Sequence, residues 1–137
     1  MKNLVKVGCW VLLLAISAAA CTEDQGEPKM VDLDTDFNIA FGEEAIIRNE
    51  SVRIKFTEVN EDSRCPENVN CVWEGRLQIT LNINGENMQL SIGGSSEPSK
   101  TLNGYKYSLV RVVAPTPNSN VTPDNSEYVV SLLVEKV

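Results

Sequence analysis

Four cysteines, an Asp-Ser-Arg-Cys-Pro string and an excess of acids are the residues of this 137-residue chain whose types and spacing could do chemistry. Histidine is absent, which removes the commonest general base and the commonest zinc ligand together. Two thiolates without histidine make half a zinc site. Ser63 has no base beside it in sequence, and Lys55 sits eight positions away on a strand face that points outward. Paired carboxylates are the remaining catalytic route, because 19 acids stand against 12 basic residues. A domain of about 100 residues rarely offers the deep cleft such chemistry needs. The expectation is a protein that is not an enzyme and needs no cofactor or metal. Its net charge of -7 also argues against nucleic acid, which calls for a basic face to displace counterions from phosphates.

The cysteines divide by position. Lys2 and Lys6 precede an apolar run from Val7 to Ile16, and the small residues Ser17 to Ala20 then lead straight into Cys21. Ten apolar residues rise only about 15 Å as a helix, half of a bilayer core. The pattern reads as a secretory signal peptide over residues 1–20. It resembles a bacterial lipoprotein signal, which implies that Cys21 is acylated and becomes the first residue of the mature chain. Ala18 stands where such signals usually carry Leu; ordinary cleavage after Ala20, leaving Cys21 a free thiol, is the alternative. Cleavage removes Lys2, Lys6 and no acid, taking the net charge from -7 to -9. Glu23, Asp24 and Glu27 just after Cys21 resemble the surface-export signals of Bacteroidetes lipoproteins. The expected location is the cell envelope, as an outer-membrane lipoprotein on the periplasmic leaflet or the cell surface.

Cys9 leaves with the signal, so Cys65 and Cys71 remain, and an even pair in a secreted domain reads as a disulfide. Closing so short a loop stabilises by about 2 kcal/mol in the chain-entropy account. These cysteines lie in the string Asp62-Ser63-Arg64-Cys65-Pro66, followed after four residues by Cys71-Val72-Trp73-Glu74-Gly75. The string resembles small secreted bacterial proteins of unknown function that carry DSRCP and then C-x-W-x-G, many of them with Ala where this chain has Glu74. The matching stretch covers residues 52–83, and the resemblance implies a shape without an activity. Pro66 stiffens the start of the loop, and Asp62 and Ser63 can bond backbone N–H groups of the turn. Arg64 is either locked to a carboxylate such as Asp62 or Glu67, or presented to a partner. Trp73 is expected to pack its ring into the core beside the disulfide. The motif is therefore either a folding clip or a preorganised contact surface built on Asp62, Arg64, Glu67 and Trp73.

The elements that must position these residues read as strands. Residues 21–36 are polar, acidic and without periodicity, as in a flexible tether reaching about 20 Å. Asp32, Asp34, Asp36 and Glu43 have EF-hand spacing, but Phe37 occupies the place of the turn glycine and a solvated acid run is expected instead. From residue 37 to 137 a single all-β domain is expected. Val52, Ile54 and Phe56 alternate with Arg53, Lys55 and Thr57. From Cys71 to Ile83 a long alternation runs into Asn84-Gly85, the type I′ hairpin dipeptide. Folding on that turn pairs Leu81 with Met88, Ile79 with Leu90 and Leu77 with Ile92. Further strands are expected at 105–113 and 128–137, the latter apolar on both faces as in an interior strand. Residues 93–100 read as a mobile connection, and residues 114–127 as a long excursion punctuated by Pro115, Pro117 and Pro123.

About seven short strands with one local disulfide imply an antiparallel β-sandwich or a small barrel. The expected function is a lipid-anchored, non-catalytic binding module of the envelope, inhibitor-like in one version, with another envelope protein as its partner and the membrane reached through its anchor. The alternative is a structural accessory subunit of an outer-membrane complex.

Overall fold

The computed structural model describes residues 26–137. The signal segment, Cys9 and the Cys21 lipid site lie outside the described residues.

The hairpin at Asn84-Gly85 forms as its dipeptide requires. Both residues take positive φ, 50° and 89°, the condition for a turn whose twist matches its strands. It joins β5 (Leu77–Ile83) to β6 (Glu86–Ile92), and the pairs Leu81–Met88, Ile79–Leu90 and Leu77–Ile92 are in register. β4 (Arg53–Asp62) pairs antiparallel along the other side of β5, with two bulges before its far end. β3 (Glu44–Ile47) and β1 (Lys29–Val31) complete a five-stranded sheet in the order β1-β3-β4-β5-β6. The second sheet has the order β2-β9-β8-β7, built from β2 (Phe37–Ala40), β9 (Val129–Lys136), β8 (Tyr105–Ala114) and β7 (Ser99–Leu102).

The two sheets share one apolar core. Ile54, Phe56, Leu77, Ile79 and Leu81 from the first meet Ile39, Val130, Leu132 and Val134 from the second, all of them buried. Phe41 packs edge-on against Phe56, ring centres 5.5 Å apart, at the crossover between the sheets. Period-2 alternation is why one face of each strand can be buried so completely. The architecture is a sandwich and not a closed barrel, with nine strands among the described residues where about seven were expected.

Three local expectations are corrected. Residues 29–36 are part of the fold and not tether: Lys29–Val31 pair in parallel with Ala45–Ile47, Val31 is buried, and the Asp34 N–H donates to the Val134 carbonyl at 2.9 Å. Two of the three acids of that stretch are tied to arginines, Asp32 to Arg48 at 3.0 Å and Asp36 to Arg111 at 3.2 Å. Residues 99–100 belong to β7, closed onto β8 by a second positive-φ turn, Asn103-Gly104. β5 begins at Leu77 and not at Cys71. Ser63 still receives its partner, its N–H donating to the Arg76 carbonyl at 2.8 Å. Arg64 then turns back onto Asp62, so residues 71–76 find no strand to pair with.

Candidate functional site

Two close backbone crossings hold the segment between β4 and β5. A Cβ built on Gly75 would lie 1.8 Å from the Ser63 carbonyl oxygen, and one on Gly93 would lie 2.4 Å from the Gly75 carbonyl oxygen. Ser63, Gly75 and Gly93 therefore stack with no room for side chains between them. Beyond this stack the Cys65–Cys71 disulfide closes its loop, Cα atoms 5.9 Å apart.

Arg64 is locked and not presented. Its Nε donates to Asp62 Oδ1 at 2.8 Å and its Nη2 to Asp62 Oδ2 at 2.9 Å, a two-point pairing. Nη2 also donates to the Pro115 carbonyl at 3.0 Å, and only 16% of either side chain is exposed. Tyr128 Oη donates to Asp62 Oδ2 at 2.7 Å from the start of the last strand. Burial pushes the Asp62 carboxyl up, yet the bonds from Arg64 and Tyr128 outweigh it and hold it below its ordinary value. The Glu61 carboxyl is lowered as well, by bonds from Arg76 and Ser63. Both carboxylates are thus fitted to hold cations in place and not to release a proton.

The contact at Pro115 is one of several that join the two loops. The Glu67 N–H donates to the Pro117 carbonyl at 3.1 Å. Asn68 Nδ2 donates to Ser119 Oγ at 2.6 Å, and the Ser119 N–H returns a bond to Asn68 Oδ1 at 3.2 Å. The excursion ends in a short 3-10 turn, Asn125–Glu127, closed by a capping box between Asp124 and Glu127. Sequence reading treats the disulfide loop and the 114–127 excursion as separate; the structure makes them one surface. Between them lies a cleft of about 370 Å³ whose walls include Val59, Asp62, Pro66, Pro117, Val121 and Tyr128.

Of the expected contact residues, Asp62 and Arg64 form the brace beneath this surface, and Glu67 contributes its backbone N–H to it. Trp73 does not enter the core. It is 59% exposed, and its neighbour Val72 is 99% exposed. The physical reason is the missing strand: a ring at position 73 has no sheet face beneath it. Val69 and Val121 are exposed as well, so each of the two joined loops carries an exposed apolar side chain. The pairing of Asn68 with Ser119 was beyond sequence reasoning, since it joins positions 51 apart with no pattern linking them.

The tyrosines offer a test of this bracing. The chain has three, Tyr105, Tyr107 and Tyr128. Burial pushes Tyr128 up to about 12, with the Asp62 bond adding to it, and burial pushes Tyr107 up to about 12. Tyr105 is raised chiefly by its bond to Glu50. A phenol with a raised folded value favours the fold fully below its unfolded value near 10 and loses that contribution as pH rises through the folded value. The tyrosinate absorbance of Tyr107 and Tyr128, two thirds of the total, should therefore appear only towards pH 12, together with unfolding. More than one third of the amplitude developing near pH 10 in still-folded protein would show that Tyr107 or Tyr128 is free.

No family model, no curated protein and no solved structure matches this chain.

Proposed function

We propose that the protein is a lipid-anchored, non-catalytic binding module of the bacterial cell envelope, which engages a protein partner through its two-loop end. The observation that carries this reading is the exposure of Val69, Val72 and Val121, at 42%, 99% and 61%, on a surface tied down beneath. Exposed apolar side chains on a rigid base are what an interface needs, because little ordering remains to be done on binding. Residues Asp62 and Arg64 serve this surface as its brace, and the apolar residues above them make the contact. Anchoring at Cys21 would place the module at a membrane, where its partner is another envelope protein.

The test is site-specific photo-cross-linking in cells of the native host, with a photoreactive amino acid replacing Val72 or Val121 and, as the control, Glu86 at the hairpin turn. The expected result is one reproducible partner from the first two positions and none from the third. Equal, diffuse labelling from all three would overturn the reading. A stoichiometric outer-membrane complex that falls apart without the protein would favour the accessory-subunit role instead.

A further inference from the structure

A second concavity lies on the outer face of the five-stranded sheet and shares no lining residue with the two-loop cleft. It holds about 260 Å³ between β5, β6 and the connection that follows them, with Gln78, Gln89, Ser91 and Ser95 among its walls. Gln78 stands opposite Ser91, and Gln89 opposite Thr80, so the two amides are diagonal neighbours on adjacent strands. Elsewhere on this face the polar side chains satisfy one another, Thr80 with Asn60 and Asn82 with Asn87. Among the described residues no hydrogen bond engages the amides of Gln78 and Gln89, which face the groove.

Charge and shape narrow what that is. Arg76 and Lys100 border the groove, but Arg76 is paired with Glu61 at 2.8 Å and Lys100 with Glu97 at 3.4 Å. With its cations neutralised in place, the groove has no surplus charge to hold a phosphate or a carboxylate. An apolar ligand would leave the amides unpaired. A primary amide offers donor and acceptor side by side, which suits neighbouring hydroxyls that each donate and accept. The volume falls below the ~300–1,000 Å³ of sites that enclose whole drug-sized ligands, so one ring enters and the remainder of the ligand stays in solvent.

We infer that this groove is a binding site for a neutral sugar ring at the end of a glycan, with Gln78 and Gln89 bonding its hydroxyls. The inference stands apart from the protein-partner reading of the two-loop end.

The test is an array of neutral, acidic and sulfated oligosaccharides probed with the full chain, followed by titration calorimetry on the best neutral ligand. The expected result is binding to neutral glycans, weakened at least tenfold by Gln78→Ala/Gln89→Ala. That variant should keep the wild-type melting temperature and the photo-cross-link from Val121. Absence of neutral glycan binding, retention of it by the double variant, or binding confined to acidic glycans and lost with added salt would each overturn the inference.

Discussion

Gly75→Ala is expected to destabilise the domain by at least about 3 kcal/mol, among the larger costs a single methyl group can impose. Its Cβ would fall 1.8 Å from the Ser63 carbonyl oxygen and 2.7 Å from the Arg64 Cα, and these are backbone atoms that cannot swing aside. Relief requires the segment to lift away from β4, which breaks the bond between the Ser63 N–H and the Arg76 carbonyl. In a domain of this size the midpoint should fall by roughly 10 °C or more. Gly26→Ala is the matched control, because its Cβ would meet nothing within 4 Å. Gly93→Ala should also be costly, and combined with Gly75→Ala the two should be less than additive, since both pry apart one stack. Wild-type melting of Gly75→Ala would show that the crossing is looser than described.

The second large effect belongs to Asp62. Removing its carboxylate in Asp62→Ala strips Arg64 of both ends of its fork and Tyr128 of its acceptor. Breaking a largely buried pair by removing one partner is costly, because the other charge is left uncompensated. A loss of about 3 kcal/mol is expected by urea unfolding at neutral pH. Arg64→Ala/Asp62→Ala should cost less than the two single changes summed. The pH dependence has a definite sign. A carboxyl held below its ordinary value contributes stability that is present above pH ~4 and lost as pH falls through the folded value. Wild type should therefore lose more stability than Asp62→Ala on acidification. Parallel acid profiles for the two proteins would count against the brace.

Much of the frame was legible because strands announce themselves locally. Asn84-Gly85 and the alternation around it specified a turn and a register at once, and the register holds at every pair from Leu77–Ile92 to Ile83–Glu86. Asn103-Gly104 carries the same signal, with φ of 50° and 84°, and would have revealed β7; the short run before it, Ser-Lys-Thr-Leu, has too little apolar alternation to stand out. β1 has still less, three residues of which only Val31 is buried, inside a stretch whose acids suggest solvent. Its place comes from pairing with β3, a tertiary fact. Trp73 shows the opposite failure. Its alternation with Cys71 and Leu77 is real, but period 2 cannot reveal that the partner strand has ended at Asp62. The site was legible to the extent that Asp62 was one of two carboxylates named for Arg64. The joining of the two loops rests on contacts between distant positions that no local pattern encodes.

The position of β9 carries a consequence for the order of events during synthesis. It lies between β2 and β8, and β2 must wait for Leu132 and its neighbours some 90 residues downstream before it has anything to pair with. At ~5–20 residues per second that wait lasts roughly 5–20 s. Until then the five-stranded sheet, whose strands are all made by Ile92, lacks the layer that covers its apolar face, and long-range pairing of this kind is slow to nucleate. A chain arranged in this way closes its sandwich only at the end of synthesis, after β9 has emerged between β2 and β8.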